Sequence, residues 1–355
     1  MLRLTWRQFR TQAAVAFGAV AAVAVVLAIT GPRVVNFYDA LVAPCAVHAD
    51  CGVATSAFLN KYHFLQGALN AVVLVLPALI GIFWGAPLVA RELEAGTYRL
   101  AWTQTVTRWR WLGVKVGVLG LSSLALAGVF SLMVTWWSSP FDRVNANRFT
   151  PAMFGERGIT PVGYAALAFA LGLSAGVVIR RTLPAMAATL AAFIGARLAA
   201  TYWVRPNLSA PLRAVSGFQL DSGTGGLPHS GDWVISSQTI NAAGKVIGDN
   251  GGIGPSGNVG FDVGRDGAIT FQGVGLCPNK VPASAVGNPS PSSVQAAFQE
   301  CAHKLGIREI LHYQPAGRYW ALQWYETAIF VGLALMLVGF SFWWIRGRRR
   351  PGLPG

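Results

Sequence analysis

The chain has 355 residues, 53% of them apolar and only 12% charged, with a formal net charge of +14. A charged fraction about half the usual one excludes an ordinary soluble domain. The basic excess would suit nucleic-acid binding, but its placement along the chain follows membrane topology instead, so no nucleic-acid partner is expected.

Apolar runs of about twenty residues recur, each long enough to cross a hydrocarbon core of about 30 Å as a helix. Met1 to Arg10 interleaves Arg3, Arg7 and Arg10 with Leu2, Leu4, Trp6 and Phe9, the pattern of a short interfacial amphipathic helix. Thr11 to Thr30 follows as the first span. A signal peptide is the rival reading, but the apolar stretch is long for one and ends without a small-x-small cleavage site. Gly31 to Tyr62 reads as a polar loop. A second span runs from Phe64 to Pro87 with Pro77 inside it, a residue that membrane helices tolerate.

Arg91 to Lys115 is a polar, charged segment in which Gly96-Thr97 interrupts a helix-compatible stretch from Ala90 to Leu100. Val114 to Trp137 is the third span and Ser138 to Thr160 a second polar loop. The fourth span, Pro161 to Ile179, is joined by an Arg180-Arg181 turn to the fifth, Thr182 to Val204. Pro206 to Gln323 is a long polar insert, and Tyr325 to Ile345 the sixth span. Within the insert, Asp232 to Ser236 and Ala268 to Gln272 read as strands and Ser292 to Leu305 as a helix. Pro315 to Glu326 reads as an interfacial helix leading into the last span. The expected fold is therefore an all-α polytopic membrane protein with a small α+β extracytoplasmic insert. Its regions are 1–205 with the first five spans, 206–324 the insert, and 325–355 the sixth span and basic tail.

Arginine and lysine placement sets the orientation. The N-terminus, the Arg91–Lys115 segment, the Arg180-Arg181 turn and the tail hold fourteen of the 28 basic residues against two acids, Glu92 and Glu94. The remaining loops hold thirteen basic residues and twelve acids, and Arg197 lies within the fifth span. Both termini are therefore expected in the cytoplasm, with the chain in the plasma (inner) membrane. Trp136, Trp137, Trp203, Trp320 and Trp324 would mark the outer interface, and Trp84, Trp111, Trp343 and Trp344 the inner one.

Cys45, Cys51, Cys277 and Cys301 all fall in segments assigned outside, where disulfides persist. Three pairings are possible; Cys45–Cys51 and Cys277–Cys301 are favoured because each closes a loop within one segment. His229, His303 and His312 show no metal-ligand spacing, and Cys301-x-His303 does not amount to a site. Gly244-Lys245-Val246 lacks the upstream glycine and the Ser/Thr of a phosphate-binding loop. No bound cofactor, metal or catalytic residue is expected, and any ATP hydrolysis belongs to another chain.

With this topology, the segment between the second and third spans resembles the cytoplasmic coupling segment of type-2 ABC exporter permeases. The matching residues are Arg91-Glu92-Leu93-Glu94, Gly96-Thr97, Thr107-Arg108 and Gly113-Val114-Lys115. The amphipathic N-terminus, the six spans and a largest outer loop between the fifth and sixth are similar too. The resemblance implies two copies of a separate ABC ATPase subunit, carrying ATP and Mg, and a second permease chain, identical or homologous. It implies that Glu92, Glu94, Arg99 and Arg108 make ion pairs with that ATPase and that Tyr98 and Trp102 anchor the contact. Gly96 would permit a break in the helix. A solvated loop is the plain alternative.

Arg197 either lines a pathway or snorkels to the interface. Asn70 and Thr201 either line a cavity between the second and fifth spans or join helices. The function implied is ATP-driven export of an amphipathic or lipid-like compound, antibiotics among the candidates. The alternative is a membrane sensor or immunity protein whose outer insert binds a ligand.

Overall fold

The computed structural model describes residues 2–47, 52–96, 107–145, 148–217, 231–250, 261–263, 268–271, 275–280 and 299–347. The chain divides into two compact units. The first comprises Met1–Asn145, Thr150–Leu208 and Trp320–Gly355, the second Ala146–Phe149 and Ser209–Tyr319.

In the first unit, six helical segments among the described residues are long and apolar enough to cross a membrane. Helix α1 runs unbroken over Leu2–Leu41. The expected division between an interfacial helix and a first span is not found, because neither glycine nor proline occurs between Leu2 and Phe17 to break the helix. The polar loop expected over 31–62 also shrinks, since α1 continues past Pro32 and α2 already begins at Gly52 (Gly52–Ile80). Aromatic packing explains the extension. Phe37 and Tyr38 of α1 lie 6.2 and 5.9 Å from the ring of Phe58 on α2, and Phe58 is 4.9 Å from Phe141. Val34, Phe58, Trp137 and Phe141 are buried in this cluster, so helical continuation keeps the aromatics together.

After α2, one π-helical turn covers Gly81–Gly85, and α3 (Pro87–Glu94) follows. Small residues let this turn press against α7 (Thr160–Ile179). A Cβ on Gly172 would stand 2.3 Å from the Gly81 carbonyl oxygen, and one on Gly176 would stand 2.5 Å from that of Ala86. Such close backbone approach is how membrane helices associate when lipid offers no hydrophobic drive. Helix α7 is apolar all round and buried on most of its surface, so it forms the centre of the unit.

Helix α4 (Arg108–Trp137) is followed by two short helices, α5 (Ser139–Asn145) and α6 (Pro151–Glu156), where a loop was expected. Arg180, with φ 62°, closes α7 in the left-handed region, and α8 (Thr182–Ala199) starts two residues later. A second π turn, Ala200–Val204, ends the fifth span. Helix α9 (Tyr319–Gly347) is the sixth and is continuous, preceded by a single 3-10 turn, Ala316–Arg318, so no separate interfacial helix stands before it.

Trp136, Trp203, Trp320, Trp324 and Trp343 are exposed, as interfacial residues are. Trp84, Trp111 and Trp137, expected as interface markers, are instead buried; Trp84 meets Phe9 edge-on at 4.8 Å.

In the second unit, β1 (Leu212–Gly217), β7 (Arg308–Gln314), β2 (Trp233–Ile240) and β3 (Val246–Asn250) form an antiparallel sheet in the order β1-β7-β2-β3. A second sheet joins β4 (Phe261–Val263), β5 (Ala268–Phe271) and β6 (Gly275–Lys280). The two expected strands correspond to β2 and β5, and of the helix expected over 292–305, residues 299–304 are helical. Phe149 stacks on Trp233 at 5.8 Å and meets Tyr319 edge-on at 5.6 Å, so this residue, read from sequence as part of a loop, serves the sheet unit.

Cys45 carries a free thiol whose Sγ donates to the Leu41 carbonyl at 3.5 Å, so the expected Cys45–Cys51 bridge is not formed. The 3-10 turn at Ala43–Val47 directs that sulfur back onto the end of α1, and Cys51 lies outside the described residues. Cys301 is fully buried; the side chain of Cys277 lies outside those described.

Candidate functional site

Two groups of polar side chains stand at opposite ends of the helical unit. The first is built on α3. Val89 and Leu93 pack with Trp111, Leu112, Leu173 and Val177, fixing one face of this short helix to α4 and α7. Its two acids then reach in different directions. Glu92 pairs with Lys115 of α4 at 2.5 Å, and the Lys115 ammonium, itself buried, lies 4.5 Å from the centre of the Trp111 ring. Glu94 Oε2 accepts from the Thr182 backbone N–H at 3.0 Å and from its hydroxyl at 2.7 Å.

The N-cap residue of α8, Arg181, supplies no side-chain cap. Glu94 therefore caps the fifth span from another helix, placing an anion at the positive end of the helix dipole. Through two carboxylates, α3 is tied to the third and fifth spans at once.

Arg91 is exposed on α3, and Gly96 ends the segment at φ 70°, a conformation glycine adopts without strain. Thr107 is exposed and extended at the start of α4. Thr97, Tyr98, Arg99 and Trp102 lie outside the described residues, as does the side chain of Arg108. Glu92 and Glu94, read from sequence as partners for an ATPase, are turned toward the chain's own spans. Lys115 was visible only as the end of the Gly113-Val114-Lys115 motif.

The second group lies at the other end. Arg205 and Glu326 are buried and pair twice, Nε to Oε2 at 3.0 Å and Nη2 to Oε1 at 3.2 Å. The buried Tyr164 hydroxyl also donates to Glu326 Oε1. The Arg205 guanidinium covers the Phe154 ring at 4.3 Å. Beside this pair, Gln323 Oε1 accepts from the Thr160 hydroxyl at 2.6 Å and from the backbone N–H groups of Ile159 and Thr160 at 3.2 Å. Its amide donates to the Phe154 carbonyl at 2.8 Å. Arg157 pairs with Asp142. The approach to α7 is thus held from both sides by side chains.

Arg197 joins this end. Its guanidinium carbon sits 3.9 Å from the centre of the Tyr164 ring, and Nη1 donates to the Gly155 carbonyl at 3.5 Å. Arg197 is therefore docked on α6 and Tyr164. The Asn70 carboxamide of α2, with its nitrogen turned toward the surrounding acceptors, donates to Glu156 Oε2 at 3.2 Å and to the Gln66 carbonyl at 3.3 Å. Burial pushes the Glu156 carboxyl up to about 7, against the opposing pull of Arg197. Asn70 and Arg197 thus converge on α6, while Thr201, half-buried in the π turn Ala200–Val204, is joined to them by no described hydrogen bond.

Glu156, Tyr164, Arg205, Gln323 and Glu326 were not singled out from sequence. A signal existed for Glu326, an acid at the head of an apolar span. The one for Arg205, one residue past the end of the fifth span, was weaker.

An apolar cavity of about 510 Å³ opens between α1 and α2 over α4, lined by Val20, Leu76, Ile80, Phe83, Leu126 and Phe130 among others. Asn70, Arg197 and Thr201 do not line it.

Six helices long and apolar enough to cross a membrane, α7 the most buried of them, with charged groups gathered at the helix ends, are the make-up of a multi-pass membrane protein. The chain belongs to the family described as ABC-2 membrane transporter related, which matches it over residues 17–205, more than half of its 355 residues. Permeases of this type typically work with an ATPase partner. No curated protein and no solved structure gives a significant match to the chain.

Proposed function

We propose that this chain is the membrane-spanning subunit of an ATP-driven exporter, moving an amphipathic or lipid-like compound with energy from a separate ATPase subunit. Two copies of that ATPase would serve two permease chains, identical or homologous, with both termini of this one in the cytoplasm. The single observation that carries the reading is the attachment of α3: Glu92 to Lys115 and Glu94 to Thr182. A short helix fixed to two spans passes on any displacement applied to it, which is what a coupling element has to do. In this reading the partner is gripped by residues 97–106 and by exposed Arg91, and the two acids transmit the displacement. The insert, with its expected Cys277–Cys301 bridge, stands outside.

The test is purification of the tagged chain from its native membrane in mild detergent. An ABC ATPase recovered near one-to-one, and lost when residues 97–106 are replaced by a Gly/Ser segment of equal length, supports the reading. A chain that purifies without any ATPase overturns it.

A further inference from the structure

Two buried glutamates stand at the same end of the helical unit, and their surroundings differ. Glu326 accepts two hydrogen bonds from Arg205 and one from Tyr164, so its charge is matched by a bonded cation. Glu156 has only 3% of its surface exposed and accepts from a neutral donor, the Asn70 amide. The cation that acts on it, Arg197, gives its hydrogen bond to the neighbouring Gly155 carbonyl and its face to Tyr164, and it attracts Glu156 without an ion-pair contact.

A carboxylate out of water with one neutral donor and an unbonded cation is poorly compensated, and it relieves the cost by taking up a proton. The groups around it add no further bonded cation among the described residues. From α2 comes Asn70, and from α8 comes Arg197. From α7 comes Tyr164, committed to Glu326, and the adjacent Arg157 is committed to Asp142.

We propose that Glu156 is a reversible proton-binding site: ionised, it ties α6 to Asn70 of the second span and Arg197 of the fifth, and protonated, it releases the attraction to Arg197. On the topology proposed above, this end faces the extracytoplasmic medium, so the proton comes from outside. The site requires no ATPase and stands or falls apart from the exporter reading.

The ordinary value of 4.5 is raised to about 7, so between those limits the folded protein holds a proton that the unfolded chain has released. The stability contribution of this group therefore declines as pH rises through that window and levels off above it. Glu156→Gln, neutral at every pH, lacks this dependence.

The experiment measures the thermal unfolding midpoint of the full-length protein in detergent across the same window. Infrared difference spectra of the carboxylic-acid carbonyl band are recorded alongside. The expected result is that Glu156→Gln gains on the wild type as pH rises, and that an acid band titrating near neutrality is missing from the variant. Arg197→Met and Asn70→Ala each remove one group that favours the ionised form, so each should move the band's midpoint to higher pH. These two variants also carry the test if Glu156→Gln fails to fold. Parallel unfolding profiles for wild type and Glu156→Gln, or a midpoint that neither Arg197→Met nor Asn70→Ala moves, would overturn the proposal.

Discussion

The Arg205–Glu326 pair joins the end of the fifth span to the start of the sixth, with 1% and 0% of the side chains exposed. Replacing Glu326 by Leu leaves the guanidinium in the same enclosure, beside the Tyr164 hydroxyl and the Phe154 face, without the carboxylate that matched its charge. Removing one partner of a buried pair costs about 3–5 kcal/mol, because the survivor remains desolvated and unmatched. Replacing both, Arg205→Met with Glu326→Leu, removes the survivor's penalty as well and should recover most of the loss. Tyr164→Phe removes the hydroxyl that donates to Glu326 and accepts from Arg205, and should cost at least about 1.5–3 kcal/mol.

The assay is thermal unfolding of detergent-solubilised protein by tryptophan fluorescence, arranged as a double-mutant cycle. The coupling energy should fall at the upper end of the usual range of about 0.5–3 kcal/mol. If Glu326→Leu alone unfolds with the wild type, or the double variant is no better than the single, the pair does not hold these spans together.

Other outcomes follow from the same contacts. Gly172→Ala drives a methyl group into the Gly81 carbonyl, so it should destabilise the protein by at least the about 1–3 kcal/mol typical of overpacking. Gly195→Ala, with nothing within 4 Å, should be neutral or slightly stabilising in the same unfolding assay. Glu94→Ala should speed amide hydrogen exchange in the first turn of α8, from Thr182 to Ala185, and leave the centre of α7 unchanged, because it removes the cap of the fifth span. Alkylation under non-reducing conditions should label Cys45, and peptide mass mapping should recover Cys277 linked to Cys301.

The spans were legible because hydropathy over about twenty residues leaves few other folds for such a chain. Their ends were not. Polarity between Gly31 and Tyr62 suggested a loop, but Phe37, Tyr38, Phe58 and Tyr62 pack together and carry both helices past the apolar core. The π turn at Gly81–Gly85 lies backbone to backbone on Gly172, ninety residues or so further on, a pairing that no local pattern reveals.

Charge alone marked Glu92 and Glu94 as polar and local resemblance marked them as coupling residues. Only the fold shows that one reaches Lys115 and the other Thr182. In the sheet unit, β1 and β7 escaped notice because arginines and a glutamate, Arg213, Arg308 and Glu309, interrupt their alternation. Glu156 escaped for a different reason. It sits in a polar stretch where an acid is unremarked until α6 is seen to bury it.

The measurement that bears most directly on the exporter account is ATP hydrolysis by the complex isolated from native membranes. It would be compared among wild type, Glu92→Lys, and Glu92→Lys with Lys115→Glu. The account predicts hydrolysis that copurifies with the chain, falls in the single variant as the tie to the third span turns repulsive, and returns when the charges are exchanged. Absence of any hydrolysis from the purified wild-type material would contradict the account, and equal activity in all three proteins would contradict the role given to α3.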